Sequence, residues 1–159
     1  MPMLPNQKSR VYKSLDLFSG CGGLSTGLSW SRGEHGSRIE VAAAIDNWAA
    51  ACDTFARNVG VQPIVNGVTD DSIKSALSKT GNVDLIVGGP PCQGFSTVGK
   101  RALDDPRNKL VKTFFTAIEI ARPCAFLMEN VPGFVSFQNG ALMREVMNLS
   151  LIHISEPTR

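Results

Sequence analysis

The sequence predicts an α/β chain: a parallel sheet wrapped by helices on both faces. Three observations carry that expectation. Strand-like and helix-like runs alternate along the chain, as they do when helices connect parallel strands. "VDLIVGG" and "CAFLMEN" are near-continuous apolar runs, the pattern of strands covered on both faces. Each unusual loop, after Asp16, at Asp46, after Gly88 and at Glu129, falls at the carboxyl end of an expected strand, where such sheets hold their ligands.

The elements follow in order. After a polar arm over residues 1–10, "VYKSLDLFSG" runs as a strand into a glycine loop, and "GLSTGLSWS" winds as a short helix. "IEVAAAID" is the next strand and "NWAAACDTFARN" an Ala-rich helix. A weak strand "QPIV" precedes "DDSIKSALSK", whose acids stand at its start and lysine at its end, as the helix dipole favours. "VDLIVGG" is a buried strand. "DPRNKLVKTFFTAIEIAR" is a helix with Asp105 placed to cap it and Pro106 in its first turn. "CAFLMEN" is a second buried strand, and "NGALMREVMN" begins another helix. Phe114 and Phe115, like Phe126 to Met128, are expected in the core.

Composition narrows the class without naming a function. A chain of 159 residues with 43% hydrophobic and 19% charged content has enough apolar material for one domain core. A net charge of +2 neither requires nor excludes nucleic acid, so any such surface must be local. Cys21, Cys52, Cys92 and Cys124 form no CxxC pair, and His35 and His153 stand away from ligand spacing, so no metal site is expected. With neither a signal-like segment nor a run of transmembrane length, the chain reads as cytoplasmic, its thiols reduced.

Four stretches carry chemistry. In "DLFSGCGGLSTG", residues 16–27, Gly20, Gly22 and Gly23 let the backbone turn tightly and approach a ligand. The loop alone is equally a tight strand-to-helix turn that binds nothing. Asp46, at the end of the next strand, favours a nucleoside cofactor, because a carboxylate there can grip ribose hydroxyls. The spacing is not the dinucleotide GxGxxG.

In "GGPPCQGFS", Pro90 and Pro91 stiffen the loop before Cys92. A lone cysteine is usually a small buried hydrophobe. As a nucleophile it needs activation, since a thiol with pKa ~8.5 is only a few per cent thiolate at neutral pH; Lys100 and Arg101 are close enough in sequence to lend positive potential. Gln93, Gly94 and Ser96 add polar groups and backbone freedom. In "FLMENVPGF", Glu129 can cap backbone amides, or it can orient and protonate a heterocycle, a task for which a free glutamate, with pKa ~4.3, is too acidic at neutral pH unless burial or a bound base assists. In "STVGKRALDDPRNKL", Lys100, Arg101, Arg107 and Lys109 form a loop able to contact phosphates, although such clusters are commonly solvated loops and Asp104 and Asp105 dilute this one.

Together, "DLFSGCGG", the acidic strand end at Asp46, "GGPPCQGFS" and "ENV", in that order, resemble the cytosine-5 DNA methyltransferase family from about Leu15 to Asn148. The resemblance implies a Rossmann-like S-adenosylmethionine-dependent methyltransferase fold, incomplete at its C-terminus, with double-stranded DNA as partner, a flipped cytosine as target and no metal. It makes Cys92 the nucleophile, Glu129 the group on the cytosine ring and Asn130 the support of the Glu129 loop. It places Phe18, Ser19, Gly20, Gly22, Gly23 and Leu24 around the methionine part of S-adenosyl-L-methionine, Asp46 on its ribose, and Asn47, Trp48, Val68 and Pro90 along the rest. Gln93, Ser96, Lys100, Arg101 and Arg107 become DNA contacts. A bacterial or phage-like setting at the nucleoid, including restriction–modification, follows by the same route.

Two departures qualify the match. The family's usual acidic adenine contact meets Asn66 or Gly67 here, with Asp70 as the other candidate, and Asp46 stands in place of the more frequent glutamate. The division expected is an arm over 1–10, the N-terminal part of a catalytic domain over 11–148, and a non-native tail over 149–159, whose "LSLIHISEPTR" reads like a translated sequencing adapter. The 159-residue chain alone is therefore expected to be an inactive fragment. A transfer-RNA cytosine methyltransferase on the same scaffold, or a non-catalytic cofactor-binding fragment, are the alternatives.

Overall fold

The structure, a computed structural model, describes residues 9–91, 108–130 and 144. Five strands, β1 (Val11–Leu17), β2 (Arg38–Asp46), β3 (Ile64–Val65), β4 (Leu85–Gly88) and β5 (Ala125–Met128), alternate with four helices. These are α1 (Gly23–Trp30), α2 (Ala49–Val59), α3 (Asp70–Thr80) and α4 (Asn108–Ala121), with a 3-10 turn at Glu34–Gly36 before β2. Every strand pairing is parallel, and the sheet order is β3-β2-β1-β4-β5. The expected alternation therefore closes into the expected sheet, and "QPIV" contributes only the two residues Ile64 and Val65.

Two apolar clusters place helices on both faces. Leu15, Leu17, Ala43, Ile45 and Ile86 meet Ile73 and Ala76 of α3 and Val111, Phe114, Phe115 and Ile118 of α4. Val41 and Ala44 point the other way, onto Phe55 of α2. Side chains alternate along each strand, and the extra residue Ala42 in β2 puts Val41 and Ala43 in opposite clusters. A register shift between Ser14 and Leu15 against β2 adjusts the phase of the longest pairing.

The helix ends follow local chemistry. α2 stops at Gly60 in the left-handed region, φ 79°, whose N–H returns to the Ala56 carbonyl. α3 carries Asp70 and Asp71 in its first turn and Lys79 in its last, as the sequence suggested. A reciprocal capping box precedes them: the Ser72 N–H donates to Thr69 Oγ1 and the Thr69 N–H to Ser72 Oγ. Asp105, Pro106, the segments 1–8 and 149–159, and all but Arg144 of the helix expected from Asn139 lie outside the described residues.

One expectation is corrected. "CAFLMEN" was expected to be a buried strand, yet Ala125, Phe126 and Leu127 are exposed, Leu127 to 47%. Only one edge of β5 is paired among the described residues, to β4. Phe126 still packs edge-on against Phe114 and Phe115, at ring-centroid distances of 6.2 and 5.8 Å. Phe114 and Phe115 themselves are core residues, as expected. A run of apolar residues has no alternation to tell its two faces apart, so only the surrounding packing decides which is covered.

Candidate active site

The loops singled out in the sequence leave the sheet from nearly one row. Leu17 at the end of β1 pairs with Ile45 on one side and Gly88 on the other, Gly88 pairs with Met128, and Asp46 pairs with Val65. The glycine loop, Asp46, the Gly89–Pro90 turn and Glu129 thus all begin at the carboxyl edge of adjacent parallel strands. Gly88 permits the tight join between β1 and β4, because a Cβ there would overlap the Leu17 carbonyl oxygen and press on Phe114.

The glycine loop is held open by backbone geometry. Phe18, Gly20 and Gly22 all take left-handed conformations, with φ of 56°, 51° and 90°. A non-glycine residue such as Phe18 there stores roughly 1–2 kcal/mol. Gly22 is required twice over, since an added Cβ would also stand 2.9 Å from both Phe55 Cδ2 and Val59 Cγ2. Among the described residues, a Cβ at Gly20 or Gly23 would meet nothing within 4 Å, so these peptides are open on that side.

Asp46 ties this loop to its neighbour. Its Oδ2 accepts the Gly20 N–H at 2.8 Å and its Oδ1 the Trp48 N–H at 2.8 Å. The Ser19 N–H reaches the Ile45 carbonyl at 3.3 Å, and Gly22 N–H closes onto the Ser19 carbonyl at 3.0 Å. Ser19 is buried, and its Oγ has no partner among the described residues, a polar atom beside the open glycines. Leu24 is half-buried at the start of α1, while Asn47 is exposed and Trp48 is exposed to 66%.

The residues expected near adenine separate. Asn66 lies beside Asp46, its N–H donating to the Asp46 carbonyl at 3.0 Å, and its Oδ1 accepts the Gly67 N–H. Asp70 stands in the first turn of α3, and Val68 is packed into the core beneath it.

On the other side, Pro90 is buried after Gly88 and Gly89. The Glu129 N–H donates to the Gly88 carbonyl at 2.9 Å, and its Oε2 lies 3.0 Å from where a Cβ on Gly89 would stand. The Glu129 carboxylate therefore lies against the stem of the loop that carries Cys92. Asn130 follows, half-buried. Cys92, Gln93, Ser96, Lys100, Arg101 and Arg107 lie outside the described residues.

Sequence reasoning assigned no role to Asp16 or Ser25. Asp16 is 1% exposed, and its Oδ2 accepts the Ser25 hydroxyl at 2.6 Å while Oδ1 has no partner among the described residues. Burial pushes its carboxyl up to about 6; hydrogen bonds from Ser25 oppose this and the Asp46 charge adds to it. The legible signal was an acid next to the end of a strand, nine residues before a serine, with only glycine at the helix cap between them. Cys52 is buried, its thiol donating to the Asp46 carbonyl at 3.5 Å, and burial raises its pKa, which suits packing rather than nucleophilic attack. No group of three or more His, Cys, Asp or Glu side chains among the described residues could hold a metal ion, and no described helix is long and apolar enough to cross a membrane.

The family profile described as C-5 cytosine-specific DNA methylase matches residues 12–153. The type II methyltransferase M.AquIA of Picosynechococcus sp. is 34% identical over 141 residues, covering 85% of this chain and 54% of that protein. M.AgeI of Thalassovita gelatinovora is 37% identical over 140 residues, covering 85% and 31%. The chain thus spans about half or less of the length of these curated relatives. Among solved structures, a candidate DNA modification methyltransferase encoded within an E. coli prophage superposes with a TM-score of 0.69 at 33% identity, over 87% of this chain and 37% of that one. The S. pombe Dnmt2 methyltransferase, at 21% identity and a TM-score of 0.62 over 87% and 41%, shares the fold.

Proposed function

Because this chain belongs to the C-5 cytosine-specific DNA methylase family, we propose that it is the N-terminal catalytic part of a DNA (cytosine-5-)-methyltransferase using S-adenosyl-L-methionine. The observation that carries the reading is the Glu129 carboxylate against Gly89, which brings the acid to the stem of the Cys92 loop. The family description and the name of the prophage-encoded neighbour favour DNA over transfer RNA as substrate, and the Dnmt2 likeness supports the fold alone.

The residues present fit the cofactor. Among the described residues, Gly20 and Gly23 are open on their Cβ side, Ser19 Oγ is a polar atom without a partner beside them, and Asp46 stands at the end of the adjoining strand. Phe18, Ser19, Gly20, Gly22, Gly23 and Leu24 would hold the methionine part, Asp46 the ribose, and Asn47, Trp48, Val68 and Pro90 the remainder. Both Asp46 oxygens already accept one backbone N–H each, and each retains a lone pair for a ribose hydroxyl. S-Adenosylmethionine, when bound, supplies an electrophilic methyl group.

Cys92, as thiolate, adds to carbon 6 of a flipped cytosine, forming a carbon–sulfur bond and making carbon 5 nucleophilic. Glu129 donates a proton to ring nitrogen 3 and accepts from the exocyclic amine, stabilising the charge that addition creates. Asn130 holds the Glu129 turn. Once carbon 5 is methylated, its proton leaves to a base, the Cys92 sulfur is expelled as thiolate and ring nitrogen 3 returns its proton to Glu129, restoring the aromatic ring. Gln93, Ser96, Lys100, Arg101 and Arg107 contact the DNA around the target.

The test is covalent trapping, in a protein carrying this chain extended to the length of its relatives. DNA containing 5-fluorocytosine has no removable carbon-5 proton, so the wild-type protein should form a stable adduct by intact mass and Cys92→Ser none. Equal adduct in both proteins, or none in either, overturns the assignment.

A further inference from the structure

We propose that Asp16 is a positioning residue for the cofactor loop: its carboxylate, which accepts the Ser25 hydroxyl at 2.6 Å, ties the first turn of α1 to the end of β1. The proposal rests on the reading of Phe18 to Gly23 as the segment that holds the cofactor.

The first turn of a helix leaves backbone N–H groups without intrahelical partners, and a side chain at the capping position usually meets one of them. At α1 that position is Gly22, which has no side chain and is confined to glycine by its φ of 90° and by Phe55 and Val59. The first intrahelical bond, Thr26 N–H to the Gly22 carbonyl at 2.8 Å, forms without side-chain help at the cap. Asp16 instead holds this end from outside the helix, through the Ser25 side chain. It accepts the hydroxyl of Ser25, the third residue of α1, at 2.6 Å. A negative group at this end is also favoured by the helix dipole.

The consequence is mechanical. The loop has one end on β1, which carries Asp16, and the other on α1, which carries Ser25; the Asp16–Ser25 bond closes that ring across its base. Asp46 holds the same loop from β2 through the Gly20 N–H. Two carboxylates on adjacent strands therefore fasten a turn whose left-handed residues would otherwise relax. Ser25 is fully buried, so no solvent hydroxyl can substitute for its bond.

The experiment uses the ligand-free 159-residue chain and its Asp16→Asn, Ser25→Ala and Ser25→Thr variants. Hydrogen exchange at the Ser25 and Thr26 amides should run roughly fivefold faster in Asp16→Asn and Ser25→Ala, as the loss of a charge-assisted bond implies. Exchange in α2 and α3 should stay unchanged, and Ser25→Thr should restore protection. S-Adenosylhomocysteine affinity should fall by a similar factor, while the thermal midpoint of Asp16→Asn at pH 7.5 should not fall, because the variant removes a buried charge. Unchanged exchange at both amides, faster exchange spread over all helices, or a loosened loop with full affinity overturns the proposal. Should Asp16→Asn fail to fold, the Ser25 pair decides the same question. Absence of S-adenosylhomocysteine binding by the wild-type chain overturns the cofactor reading instead, and the exchange data then decide the Asp16–Ser25 tie by themselves.

Discussion

The Gly20 backbone N–H donates to Asp46 Oδ2 at 2.8 Å, so the residue expected on the cofactor ribose also fastens the glycine loop to the end of β2. Asp46→Ala should therefore act twice, removing an acceptor from the ligand and releasing Gly20 and Trp48. S-Adenosylmethionine binding should weaken by about 1.5–3 kcal/mol, the scale of a hydrogen bond to a charged group. Calorimetry on the extended protein should show Cys92→Ser nearly unchanged beside it. The opposite ranking would exchange the roles of the two loops.

Asp16 makes stability depend on pH in an unusual direction for a carboxylate. Its folded-state pKa is raised from 3.8 to about 6, so between those values the folded chain binds more protons than the unfolded one. Its contribution is greatest below pH ~4 and is lost as pH rises through ~6, a change on the order of 3 kcal/mol. Urea denaturation from pH 4 to 7.5 should show wild type falling relative to Asp16→Asn across that window and parallel to it above. A constant difference between the two would mean that Asp16 titrates normally.

Gly22 and Gly23 are adjacent, yet their replacement should differ sharply. Gly22→Ala forces a Cβ into the left-handed region and against Phe55 and Val59, which should cost about 2–4 kcal/mol. Gly23→Ala places its methyl clear of every described residue at the start of α1 and should be neutral or slightly stabilising. Chemical denaturation reads both. Equal losses would mean that the whole loop, rather than one contact, resists side chains.

Thr69→Ala removes half of the capping box of α3 and should destabilise the fold by about 1 kcal/mol. Ser72→Ala should cost at least as much, because the same hydroxyl also donates to the Gly67 carbonyl at 2.9 Å and is buried. That bond pins the Asn66–Val68 turn next to Asp46. A Ser72→Ala loss clearly below that of Thr69→Ala would show the turn to be held by other contacts.

The order of strands and helices was legible in the sequence because it rests on local patterns. Apolar runs, Asp70 and Asp71 before Lys79, and glycine at chain reversals each act within a few residues. The clustering of motifs at strand ends was legible for the same reason, since a loop's place after a strand is a sequential fact. The Thr69–Ser72 box was also within reach, a capping pair hidden behind the more conspicuous acids.

Tertiary structure alone decided the rest, where the partners are distant in the chain. That "CAFLMEN" would expose Phe126 and Leu127 depended on what lies beside the sheet, which an unalternating apolar run cannot encode. That Asp46 would face Gly20, 26 residues away, depended on the pairing of β1 with β2. Asp16 reads as one more polar residue of its motif until folding removes it from water, next to a helix whose own cap is a glycine. Burial and a neighbour's charge set a carboxylate's proton affinity, and neither exists before the chain has folded.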